Sequence, residues 1–263
     1  MVLYDPSRNP PENALSGAPV ELITAVGRVG TARRTVQVEA TRFPLYPNVT
    51  AALSANGTCD LRGNVTVCGH NHRIDTPPRT DLPQCSPAWD EATGHLPGVM
   101  TTGYDVMRRG SADLLGSPAV VDTSSSNVFY SLSQALGITE AELADILSSP
   151  DYTAADRSVY MEGITYIQGD CLATVIDGEG LLYVTGDLTV SGNIEWTGLV
   201  YVEGSFRSTG NAWILGAVMV EGDSTIALDF GAGNPSVLYS REALLRALTR
   251  CMRYVTLSWR ELD

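Results

Sequence analysis

The sequence predicts a mainly β fold: a parallel β-helix, or solenoid, built from coils of about eighteen residues, with an inserted loop and helical region and a C-terminal helical cap. Three observations carry that expectation. Rows beginning at Gly163, Gly180, Gly198 and Gly216 align as GITYIQGD, GLLYVTGD, GLVYVEGS and GAVMVEGD, at steps of 17, 18 and 18 residues. A second glycine stands six places into each row, at Gly169, Gly186, Gly204 and Gly222, and two rows close on Gly192-Asn193 and Gly210-Asn211. Each row also carries two β-rich runs, such as Leu181 to Thr185 and Leu188 to Ser191, on either side of the glycine.

Composition sets the bounds. The chain has 263 residues, 44% of them apolar and 18% charged, which reads as globular. Its formal charge of −13 sets thirty carboxylates against seventeen cations, and every cation is arginine, since the sequence contains no lysine. A surface of that sign repels phosphate backbones and anionic membranes, so nucleic acid is excluded as the expected partner. No apolar stretch approaches the roughly 20 residues of a membrane helix, and the N-terminus has no signal-peptide character. The expectation is a soluble chain, or the soluble part of a longer protein whose anchor precedes Met1.

Taken in order, residues 1–56 read as an N-terminal β region packing on the solenoid. ELITAVGRVGTARRTVQVEATRF gives two strands joined through Gly30, with Thr35, Gln37 and Glu39 alternating against Val36 and Val38. Residues 57–71, GTCDLRGNVTVCGHN, repeat the row glycines at Gly63 and Gly69 and read as a first coil. Residues 72–156 read as an insertion, proline-rich at first and then helical, with Thr139 and Glu142 forming a capping box ahead of Leu143, Ile146 and Leu147. Residues 157–239 are the main coils. In 240–263, Ser240 caps a helix with Leu244, Leu245, Leu248 and Cys251 at helical spacing, and Val255, Leu257 and Trp259 alternate along a closing strand.

In the stacked rows Gly63, Gly169, Gly186, Gly204, Gly222, Asn193 and Asn211 are expected at the corners, where glycine and asparagine accept unusual backbone angles. Ile167, Val184, Val202 and Val220 form an interior ladder; Tyr166, Tyr183, Tyr201 and Met219, with Ile164, Leu181 and Leu199 beside them, form an outer one. That outer face is too apolar to stay wet. Another part of the chain is expected to cover it, with docking of a partner as the sharper alternative.

Candidate chemistry is sparse. Of five cysteines, Cys59, Cys68 and Cys85 lie near His70 and His72. The spacing lacks the paired motifs of established zinc sites, so the first expectation is a disulfide among the three in an exported protein; a metal held by Cys68, His70 and His72 is the alternative. His95 has no partner in sequence. Glu203 with Glu221, and Asp170, Asp187 and Asp223, share rung positions. They are expected at a solvated acidic edge, with calcium binding or acid/base catalysis as lesser readings. Asn48, Asn56 and Asn64 sit in formal glycosylation motifs that arise easily in Thr-rich strands. No nucleotide or nucleophile motif appears, so no cofactor and no enzymatic activity are expected.

The order of these segments resembles the PilX-type accessory proteins of bacterial type IV pili. The resemblance rests on GRVGTARRTVQVEATR, the isolated row GTCDLRGNVTVCG, the paired rows GLLYVTGDLTVSGN and GLVYVEGSFRSTGN, and the ending SVLYSREALLRAL with LSWREL. It implies a minor-pilin-like, extracytoplasmic domain, periplasmic or displayed on the pilus at the cell surface, that acts in pilus priming, tip display or adhesion. Its implied partners are other pilus proteins, minor pilins and a tip adhesin, and it implies an inner-membrane anchor through an N-terminal helix that this sequence does not contain. The family supplies no catalytic residues. A secreted carbohydrate-binding or carbohydrate-cleaving β-helix protein is the alternative, and a bactofilin-like polymer a second.

Overall fold

A computed structural model describes residues 2–4, 10, 12–13, 18–42, 47–76, 85, 90–102, 106–123, 126–156, 158–227, 235–250 and 254–262. In chain order the first strands are β1 (Leu3–Tyr4), β2 (Glu12–Asn13), β3 (Ala18–Val29), β4 (Ala32–Arg42), β5 (Leu53–Ala55), β6 (Cys59–Arg62) and β7 (Thr66–Cys68). Then come β8 (Val99–Thr101), β9 (Val106–Arg109), β10 (Asp113–Leu115), β11 (Val120–Asp122) and the helices α1 (Leu132–Leu136) and α2 (Glu140–Leu147). The glycine rows form β12 (Met161–Ile167), β13 (Cys171–Val184), β14 (Leu188–Val202), β15 (Phe206–Ser208), β16 (Ala212–Val220), β17 (Ser224–Ala227) and β18 (Ser236–Tyr239). Helix α3 (Arg241–Arg250) and β19 (Tyr254–Leu262) close the chain.

These elements make two units. Residues 1–44 and 252–263 form one, and residues 45–251 the other. The first unit is a five-stranded antiparallel sheet in the order β19-β4-β3-β1-β2. The β3–β4 hairpin turns at Gly30, whose φ of 61° is the left-handed conformation a tight turn requires.

In the second unit the glycine rows stack in parallel and in the register of the sequence alignment, with Gly163 opposite Gly180, Gly180 opposite Gly198 and Gly198 opposite Gly216. The expected parallel β-helix of successive coils is nevertheless not the fold. The chain combines the antiparallel sheet with a fourteen-stranded, parallel-paired sheet that curls into a nearly closed, barrel-like form. In that sheet spatial order is not chain order. The row at 57–71, expected as the first coil, lies beyond the last: β5 pairs with β16, β6 with β17 and β7 with β18. The 72–156 region is also not only loop and helix, because β8, β9 and β10 pair in parallel on β5, β6 and β7. The physical reason is that an eighteen-residue period reports which neighbours stack locally; where the stack starts and how its sheet closes depend on pairings between segments with no shared spacing.

Helix α3 is likewise not an end cap. It lies across β12, β13, β14 and β16, over the column of row glycines. Ser240 caps it as expected, its hydroxyl accepting from Ala243 N at 3.1 Å. Gly198 shows why the column is glycine: its φ is +130°, and a Cβ there would stand 2.7 Å from Ala247 Cβ on the helix and 2.2 Å from the Gly180 carbonyl oxygen. The free edge of β12 is covered by residues 151–152, since Asp151 Oδ2 accepts from Ile164 N and Tyr152 bridges Thr165. Among the described residues no helix is long and apolar enough to cross a membrane.

Candidate functional site

The tyrosine ladder is buried by the chain itself. Tyr201 and Met219 are fully buried, Tyr183 nearly so and Tyr166 half-buried. Tyr166 stacks on Tyr183 at 5.1 Å, Tyr183 meets Tyr201 edge-on at 5.6 Å, and Phe129 of the 72–156 region meets Tyr201 at 5.7 Å. Asn56 pins that cover: its Oδ1 accepts from Val128 N, and its Nδ2 donates to the Phe129 carbonyl oxygen. The interior ladder of Ile167, Val184, Val202 and Val220 is buried on the other face. Each row strand is therefore covered on both sides.

The acidic rungs are occupied by structural work. The Tyr183 hydroxyl donates to Glu203, and the Tyr201 hydroxyl donates to Glu221 Oε1 at 2.5 Å. Burial, reinforced by these carboxylate partners, pushes both phenols far above the ordinary tyrosine range, so they remain donors. Burial also raises Glu221, against the lowering effect of the Tyr201 hydrogen bond. The aspartates tie row to row: Asp170 Oδ1 accepts from Asp187 N at 2.9 Å, Asp187 Oδ1 from Ser205 N at 2.7 Å, and Asp223 Oδ1 from Thr58 N at 2.7 Å. These bonds follow from the corners, where a strand ends and its amide has no ladder partner.

The predicted corners divide by cause. Gly63 and Gly169 adopt φ of 84° and 81°. Gly186 and Gly204 are instead required by close approach, since a Cβ at either would fall 2.3–2.4 Å from the aspartate of the preceding row. Gly222 would meet the Gly204 carbonyl oxygen at 2.9 Å. Asn211 sits between β15 and β16, whereas Asn193 is no turn residue: it pairs with Val175 inside β14, beside a register shift in β13.

The cysteine cluster resolves the open alternatives. Cys68 and Cys85 form a disulfide with Cα atoms 5.8 Å apart, while Cys59 and Cys171 are free and buried; Cys251 lies outside the described residues. Burial, with the neighbouring Asp60 charge, pushes the Cys59 thiol up to about 12, which makes it an inert core residue. The trio of Cys68, His70 and His72 does not converge. The His70 ring turns to meet His95 edge-on at 4.9 Å, and its place beside Cys68 and His72 is taken by Cys85. Asp90, which sequence reasoning missed, reaches His72 through an isolated bridge; no spacing rule marks a carboxylate eighteen residues from its histidine.

Among the described residues, the first unit presents an open apolar face. Ile23, Val38 and Trp259 stand opposite one another across β3, β4 and β19 and so share one face. Val38 is half-buried, but Ile23 is 46% and Trp259 68% exposed, and Val29, at the hairpin end of the same face, is 84% exposed. The alternation along 254–262 is that of a strand with a covered face, yet the face is open.

Residues 157–229 match the model of a family described as a domain of unknown function (DUF8470). No curated protein matches the chain. Among solved structures, the competence-associated pilin ComZ from Thermus thermophilus is similar at 11% identity with a TM-score of 0.26, the match covering 95% of this chain and 82% of that one. A likeness of that size does not carry a fold or a role from one protein to the other.

Proposed function

We propose that the chain is a non-enzymatic, extracytoplasmic interaction module of a type IV pilus system, of the PilX-type accessory kind, acting in priming or tip display by binding other pilus proteins. The observation that carries this reading is the open apolar face of the first unit. An antiparallel sheet that keeps Ile23, Val29 and Trp259 in water is the kind of surface another protein covers, and aromatic anchors of this type dominate binding energy at such contacts. The sequence resemblance names the partner class. The carboxylates that a carbohydrate-cleaving mechanism would use, Asp187 and Glu203, are engaged with Ser205 N and the Tyr183 hydroxyl, which favours binding over catalysis.

The test is an immunoblot, with antibody to this chain, on sheared pili and washed membranes of the native host, with N-terminal sequencing of the band. Wild-type protein is expected in the pilus fraction, and the double variant Ile23→Ser/Trp259→Ser is expected to leave it. Wild-type protein recovered only free in the medium sinks the pilus reading; a double variant that stays in the pilus fraction sinks the role of the sheet.

A further inference from the structure

One group of soft and basic donors remains unused by that reading. Cys68, Cys85 and His72 bring their two sulfurs and a ring nitrogen within 4.8 Å of one another, and Asp90 Oδ1 stands 3.4 Å from His72 Nε2. His72 is fully buried, and its backbone is fixed by a hydrogen bond from its N–H to the Tyr239 carbonyl oxygen at 2.8 Å and by the antiparallel bridge to Asp90.

The partners of His72 settle its tautomer. Nδ1 lies 2.6 Å from the His70 carbonyl oxygen and 3.1 Å from the Tyr239 carbonyl oxygen. Carbonyl oxygens only accept, so Nδ1 carries a hydrogen, which leaves Nε2 as the ring nitrogen through which His72 would ligate a metal. Nε2 lies near Asp90 Oδ1, a buried oxygen without a hydrogen-bond partner among the described residues. A positive centre between the two, a proton or a metal cation, is what makes this pair attractive. An imidazole that donates its other N–H to a backbone carbonyl is also the arrangement by which proteins orient a ligating histidine.

We infer that Cys68, Cys85, His72 and Asp90 form a redox-gated site for a thiophilic divalent cation of the zinc class, open when the Cys68–Cys85 disulfide is reduced. The His72–Asp90 spacing suits a shared ion. Nitrogen and oxygen donors about 2.1 Å from a tetrahedral ion stand about 3.4 Å apart, and two thiolates at about 2.3 Å stand about 3.8 Å apart. The His72–Asp90 separation is 3.4 Å. In the disulfide the sulfurs are bonded to each other, carry no thiolate charge and are not ligands. A dithiol reductant delivers two electrons and two protons: the S–S bond breaks, two thiols form, and the dithiol closes to its own disulfide. The cation then binds both sulfurs as thiolates and releases their two protons to solvent. Either linkage, disulfide or metal, clasps Cys68 of β7 to Cys85.

The experiment uses the whole chain, reduced with dithiol, desalted without oxygen and titrated with Co²⁺ and then Zn²⁺, beside the same chain left oxidised. Reduced protein is expected to take up one equivalent of Co²⁺ with a thiolate-to-metal absorption band that Zn²⁺ removes, and oxidised protein to show no such band. His72→Gln and Asp90→Asn are each expected to weaken Zn²⁺ binding at least tenfold, and Cys85→Ser to abolish the band. Formation of the disulfide in the two oxidised ligand variants, read by mass, checks that they fold. The inference is overturned if reduced protein shows no band, if the oxidised chain binds equally, or if folded His72→Gln or Cys85→Ser binds like wild type.

Discussion

Two tryptophans measure the difference between the units. Trp196 on β14 is completely buried, with its indole N–H donating to the Gly180 carbonyl oxygen at 3.3 Å; Trp259 on β19 is 68% exposed. Both lie on strands of alternating or near-continuous apolar character, so strand chemistry alone does not separate them. What separates them is coverage. The larger unit lays α3 over one face of its rows and the Phe129 segment over the tyrosines, whereas the small sheet leaves Ile23, Val29 and Trp259 to water. The larger unit spends most of its apolar surface on its own core, and the small sheet leaves these side chains open.

Substitutions at the two tryptophans break the comparison most sharply. Trp196→Ala is expected to destabilise the larger unit by about 3–5 kcal/mol, against a change within about 0.5 kcal/mol for Trp259→Ala, both read by urea unfolding. Equal losses would mean that Trp259 is part of a core. Next in size, Cys85→Ser removes a bridge closing a sequence separation of 17 residues and is expected to cost about 3 kcal/mol, checked by the unfolding midpoint under oxidising conditions. Gly198→Ala meets both a positive φ and Ala247, and is expected to lose about 1–3 kcal/mol or more. Gly27→Ala on β3, with nothing within 4 Å of the added methyl, is expected to be neutral or to gain about 0.5 kcal/mol.

The smallest effect concerns pH. Asp60, buried in β6, is held below the ordinary carboxylate range first by its hydrogen bonds to Arg62, then by the Arg62 and Arg109 charges, against desolvation. Because its folded value is the lower one, it contributes stability above the unfolded value near 3.8, and that contribution is lost as pH falls through the folded value. Asp60→Asn is therefore expected to be less stable than wild type at pH 7, and the gap between the two melting temperatures to narrow below about pH 4. A gap that stays constant down to pH 2 would remove Asp60 from the acid response.

These contrasts also mark what the sequence made legible. The in-register rows were readable because glycines recur every 17 or 18 residues, and burial of the tyrosine ladder because a strand with Leu181 and Tyr183 on one face and Val184 on the other cannot be left wet. Closure was not readable: nothing in LSA at 53–55 announces Val218 to Val220 as its neighbours. The aspartates misled because their partners are backbone amides of the following row, which carry no residue identity to read. The disulfide was open among three cysteines for the same reason, since spacing does not choose a pair.

The pairing of the earliest strands with the latest has a consequence on the ribosome. Thr58 bonds Asp223, 165 residues later, and Glu39 accepts from Ser258, 219 residues later. At about 5–20 residues per second, β5, β6 and β7 emerge roughly ten to thirty seconds before their partners exist, and β4 waits longer still. Nascent chains of this protein carry those strand edges unpaired for that whole interval, so the larger sheet closes only after residues 212–239 have been made.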